Sequence, residues 1–293
     1  MKRGTIHPIV LCGFITLTTV LGKLNRTTDQ VAFDNNESNK FHYIFGETKK
    51  SEKYADLKPN PEELGNYFEG DIRIPTAMSK NGLLNHNFRW KNGIVPIEVR
   101  GNFDPEELTM INTAFETYHN LTCIQFIQHS TEKDFVTITK NPTGCWSSLG
   151  KIGGKQILNL QSPKCLVKVG TAIHELMHVL GFNHEHTRED RDEYVEINWK
   201  NIPTDSYGNF GKSSPNSTNN FETKYDYESV LHYSPYAFAM DLFKPTLVPL
   251  KKTLSATKMG QRDGLSKLDI NKIWKMYKCK TTTLNFTKTN KTN

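Results

Sequence analysis

The sequence predicts an α+β fold. Three observations lead there: strand-like segments precede the later helices, apolar residues recur with a helical period in separate segments, and no internal repeat breaks the order. Residues 93–100, GIVPIEVR, alternate like a strand. In 104–122, Asp104-Pro105-Glu106-Glu107 supplies a cap, a proline at the first helical position and acids in the first turn. Leu108, Ile111, Phe115 and Tyr118 then recur with a helical period. IQFIQ (124–128) and DFVTITK (134–140) read as strands, and QILNL (156–160) as a shorter one. A helix over 169–180 carries two histidines. The chain after Asp192 is loop-rich. Residues 263–279 then form a C-terminal helix with Leu268, Ile270, Ile273, Trp274 and Tyr277 available to a core. Residues 280–293 make a polar, disordered tail.

The N-terminus has the layout of a secretory signal peptide over 1–22. Lys2 and Arg3 precede an apolar run from about Pro8 to Leu21 that is too short and interrupted to span a bilayer. A retained anchor is the alternative reading. No later stretch is long and apolar enough for a membrane. Export leaves Cys123, Cys145, Cys165 and Cys279 once Cys12 has gone with the signal. An even number in an oxidising compartment favours two disulfides, in one of three pairings. Asn25, Asn36, Asn120, Asn216, Asn285 and Asn290 begin glycosylation sequons. The net charge of +6 comes from scattered lysines and arginines. No basic stripe interleaves with aromatics, so nucleic acid is not an expected partner. Residues 23–70 are polar, with few periodic apolar positions, and read as a poorly packed leader.

The stretch HELMHVLGFNHEH (174–186) carries the chemistry. His174 and His178 lie four apart and share one helix face. A continuing helix would carry His184 roughly 15 Å from His174 along its axis. Gly181 tolerates φ > 0, ends the helix and lets the chain bring His184 back. Three neutral imidazoles leave coordination open to water, the pattern of a catalytic rather than a structural zinc. Glu175, beside the first ligand, is placed to take a proton from that water before attack on a carbonyl.

HELMHVLGFNHEHTREDRD (174–192) resembles the signature of the astacin family of metzincin endopeptidases. FRWKNGIVPIEV (88–99), GCWSSLG (144–150), TLVPL (246–250) and SVLHY (229–233) are similar to further parts of that family, so the likeness spans about Asn81 to Cys279. It implies a two-lobed catalytic domain over 81–279. The N-terminal lobe would hold a mixed twisted sheet and the active-site helix. The C-terminal lobe would be loop-rich and end in a helix, with the division near His184. It implies one zinc per subunit, and disulfides Cys123–Cys279 and Cys145–Cys165. Tyr233 would take the role of a tyrosine that leaves the metal and donates to the oxyanion. Leu231 stands where the family's turn has methionine, a swap that usually costs under about 1.5 kcal/mol. YFEGDI (67–72) resembles the prosegment motif whose aspartate, here Asp71, caps the zinc in the zymogen. Residues 23–80 would then be a propeptide, released by a protease cutting after Lys80. Glu185 would receive the new ammonium of Asn81. The strand around 146–149 would offer substrate an unpaired edge.

The expected product is a secreted, monomeric zinc endopeptidase acting on extracellular proteins, with no membrane partner. An impaired relative that binds protein or matrix, and a zinc enzyme with a non-peptide substrate, are the competing classes.

Overall fold

The computed structural model describes residues 59–74, 88–214 and 220–280. The signal peptide, the Lys80–Asn81 bond, the tail beyond Lys280 and every sequon except Asn120 lie outside the described residues. The fold is α+β. Six strands form a mixed sheet in the order β1-β5-β6-β4-β2-β3. They are β1 (Ile72–Arg73), β2 (Ile94–Arg100), β3 (Gln125–Gln128), β4 (Phe135–Thr139), β5 (Cys145–Ser148) and β6 (Lys155–Leu160). β2 runs parallel to β3 and β4, and β4 parallel to β6. β5 is antiparallel to β6, and β1 parallel to β5.

Helix α1 (Pro105–Leu121) starts as its sequence dictates. Asp104 accepts from the amides of Glu106 and Glu107, while Glu107 reaches back to the Asp104 amide at 2.8 Å. Ile111, Ala114 and Tyr118 face inward, whereas Leu108, which shares the helical period, is exposed. Tyr118 donates its hydroxyl to the Ile173 carbonyl at 2.7 Å, tying α1 to α2 (Val169–Val179). Every α2 residue from Gly170 to Val179 is buried.

Helix α3 (Lys267–Tyr277) buries Ile273 and Met276, but also Asp269 and Lys272. Leu268 and Ile270, read as core candidates, are only partly buried. The reason is that the inward polar groups have partners. Asp269 accepts from the Ser229 hydroxyl at 2.6 Å and the Val230 amide at 2.8 Å, and Lys272 pairs with Glu185. Cys123 bonds Cys279 and Cys145 bonds Cys165. The region after Asp192 is not all loop: β7 (Val195–Ile197) pairs antiparallel with β8 (Leu247–Pro249). These strands frame a second apolar cluster with Phe210, Tyr225, Tyr227 and Tyr233.

The leader is not poorly packed throughout. Glu62, Glu63, Asp71 and Ile72 are at most 1% exposed. Polar composition misleads here, because each buried carboxylate meets a partner far along the chain.

Candidate metal centre and active site

Helix α2 puts His174 and His178 on one face. It then ends in a hydrogen-bonded cap: the Gly181 amide donates to the His178 carbonyl at 2.8 Å and the Phe182 amide to the Met177 carbonyl at 3.3 Å. Gly181 has φ +103, a conformation that favours glycine. The chain reverses there, and His184 comes back beside the other two.

Each ring's Nδ1 faces an oxygen that can only accept, so each Nδ1 carries the proton. His174 donates to the Val230 carbonyl at 2.7 Å, His178 to the Phe182 carbonyl at 2.7 Å, and His184 to the Glu69 carboxylate at 2.8 Å. All three Nε2 atoms are therefore left for a further ligand or a proton, and they converge. His174 Nε2 and His178 Nε2 lie 3.0 Å apart. Asp71 Oδ2 stands 2.9 Å from His174 Nε2 and 3.2 Å from His184 Nε2. Lone pairs this close repel unless a proton or a metal ion sits among them. A tetrahedral zinc with bonds of about 2.0–2.1 Å has edges of roughly 3.3 Å, close to these separations. Three imidazoles and a carboxylate are a zinc-like donor set.

Without a metal, burial and then the Arg262 charge push His174 well below its usual range. Burial acts the same way on His184, but the Asp71 and Glu69 carboxylates outweigh it and raise that ring to about 9. A metal at Nε2 would displace that proton. Glu175 is fully buried beside these residues, and among the described residues neither of its carboxylate oxygens has a hydrogen-bond partner. Burial, then the charges of Asp71 and Glu62, raise its pKa well above the carboxylate range.

The remaining expected residues fall as follows. Tyr233 is buried and donates its hydroxyl to the Glu69 carbonyl at 2.6 Å. Its ring stacks on His186 with centroids 3.7 Å apart. Leu231 lies in the same core cluster as Leu176 and Met177, and its carbonyl accepts from the Glu185 amide at 3.0 Å. Glu185 pairs with Lys272 and accepts from Arg188 at 3.2 Å and from the Asp226 amide at 2.9 Å. The ammonium expected at Glu185 belongs to residue 81, outside the described residues. The strand edge expected to be open is filled. β1 pairs with β5 through Ile72–Ser147 and Arg73–Ser148, and the Ser147 amide donates to the Asp71 carbonyl at 2.9 Å.

Sequence reasoning missed what anchors this leader. Glu62 pairs with buried Arg262, and Glu63 accepts from the Ser234 amide and hydroxyl, each at 2.6 Å. Asn60 donates to the Gly260 carbonyl at 3.0 Å. Gly170 makes room for the Arg262 backbone, since a Cβ there would stand 2.0 Å from the Arg262 carbonyl oxygen. Partners some 170–200 residues apart leave no local signal.

Comparison with known proteins gives this geometry a family. The family model for astacin, which describes a peptidase family, matches residues 83–278. Zinc metalloproteinase nas-7 of Caenorhabditis elegans is 37% identical over 279 residues, covering 92% of this chain and 71% of that protein. Seminal metalloprotease 1 of Drosophila melanogaster is 38% identical over 237 residues, covering 77% of this chain and 92% of that protein. A solved structure, the hatching-enzyme zinc protease high choriolytic enzyme 1 of the medaka Oryzias latipes, matches with TM-score 0.60 and 38% identity. That match covers 66% of this chain and 94% of the medaka chain. With the three-histidine cluster, the buried glutamate and the α+β scaffold in place, these matches settle the family: the chain belongs to the astacins and is a zinc metalloendopeptidase.

Proposed function

We propose that this chain is the latent precursor of a secreted endopeptidase that hydrolyses peptide bonds of extracellular proteins. One observation carries the reading: three Nε2 atoms and Asp71 converge beside a buried Glu175 carboxylate that has no hydrogen-bond partner among the described residues. His174, His178 and His184 would hold the zinc. When bound, the ion supplies Lewis acidity, acidifying a water and polarising a carbonyl. Glu175 takes the proton of the attacking water and passes it to the leaving amine. Tyr233, freed from the Glu69 carbonyl, donates to the oxyanion. An extended substrate adds to the β5 edge by backbone hydrogen bonds.

Latency follows from residues 59–74. Asp71 occupies the fourth donor position, and β1 takes the edge that substrate needs. A cut after Lys80 removes both. Glu185, already poised against Lys272 and Arg188, then receives the new ammonium. Leu231, buried and apolar, fills the methionine's place beneath the site. The signal-like residues 1–22 support export, and among the described residues no helix is long and apolar enough to cross a membrane. The mature enzyme acts as a monomer.

Glu175→Gln in the mature form tests the reading. It should keep one zinc and lose cleavage by about 10²–10⁴-fold, the range for a lost general base. Undiminished cleavage by the zinc-loaded variant contradicts it. A folded, zinc-loaded wild type that cuts nothing points instead to the impaired, binding-only relative.

A further inference from the structure

A metal-bound histidine is held in place by what its second ring nitrogen touches. The three candidate ligands differ there. His174 and His178 donate to the carbonyls of Val230 and Phe182, main-chain groups that stay with the enzyme. His184 donates to the side chain of Glu69, which lies in the segment that leaves. A carboxylate is the strongest such partner, because the hydrogen bond is charge-assisted and increases the basicity of the far nitrogen.

Glu69 is built for this position. It is 4% exposed, and its φ of +50 is a conformation that residues with a side chain rarely adopt. In that conformation its carbonyl accepts from Tyr233 while its carboxylate reaches His184. One leader residue thus engages both a ligand and the tyrosine.

We propose that Glu69 locks His184 as a metal ligand, so that the prosegment retains the zinc as well as capping it. On activation His184 loses its outer partner, and the metal is held less firmly. This inference rests on the precursor reading above.

The test uses the full-length, zinc-loaded precursor and follows zinc release to an excess of the chromogenic chelator 4-(2-pyridylazo)resorcinol. Glu69→Ala should release zinc about 10–100-fold faster than the wild type, the usual effect of losing an outer-shell partner. Glu69→Gln, which keeps the shape and an accepting oxygen but not the charge, should fall between. It also decides the matter if the alanine variant fails to fold. Equal release rates for wild type and Glu69→Gln, and for Glu69→Ala where it folds, would overturn the role of Glu69. The precursor reading fails by different signs: a wild-type precursor that binds no zinc, or an Asp71→Asn precursor as silent on gelatin as the wild type.

Discussion

Helix α2 and the leader stretch 59–74 are both buried at the metal site, yet different forces hold them. The helix sits among apolar neighbours. Ala172, Ile173, Leu176 and Met177 are each at most 2% exposed, and such burial contributes about 25 cal/mol per Å² without demanding one geometry. The leader adds buried carboxylates to the backbone pairing of β1 with β5. Glu62 meets Arg262, Glu63 meets Ser234, and Asp71 meets the histidines. Desolvation offsets most of the attraction in a buried ion pair, so its net contribution is small although losing one partner is costly. A segment held this way is positioned exactingly but gains little net stability. Under the precursor reading proposed above, that suits a plug that must later leave, while apolar packing suits the wall that must stay.

Substitutions in the plug should act on the precursor alone, and those in the wall on both forms. The largest effect is expected from Asp71→Ala. Removing one partner of a buried charged cluster costs about 3–5 kcal/mol. The precursor's cleavage of gelatin should rise by roughly 150- to 5,000-fold, with the mature form unchanged. A wall change comes next. Replacing Cys145 and Cys165 by serine opens a loop of 20 residues and should cost both forms about 3 kcal/mol, read from the denaturant midpoint. If only the precursor weakens, the division is misdrawn. Glu62→Ala should leak less than Asp71→Ala, by about 10–100-fold, because Arg262 keeps the His232 and Gln261 carbonyls as acceptors.

The smallest effect at neutral pH involves His232. Burial lowers it to about 4, while its Nδ1 donates to the Tyr233 carbonyl and its Nε2 accepts from the Tyr225 hydroxyl. The unfolded chain takes up this proton near pH 6.5 and the folded chain only near 4. Stability from this group is therefore complete above about 6.5 and lost as the pH falls toward 4. His232→Gln should flatten that acid slope in thermal melts of both forms. An unchanged slope would remove His232 from the account.

The parts of the site legible in the sequence are those with local causes. The spacing of His174 and His178 is the helix period, and Gly181 marks the reversal that returns His184. The cap at Asp104 likewise announces α1. The rest depends on distant partners. Nothing near Glu62 indicates that Arg262 awaits it, and nothing near Lys272 indicates Glu185. All four residues of β5 are buried, so it shows no alternation, and only its likeness to a family marked it. β7 and β8 span only three residues each, too few for a period to register. Glu69 stands inside YFEGDI, where the likeness to the prosegment motif gave a role to Asp71 alone.

Latency and metal dependence are tested together by three samples on gelatin: the chain trimmed to begin at Asn81, the untrimmed precursor, and the trimmed chain with a chelator. Only the trimmed chain without chelator should cleave. Cleavage by the precursor at the trimmed chain's rate, or cleavage that survives removal of the metal, would contradict it.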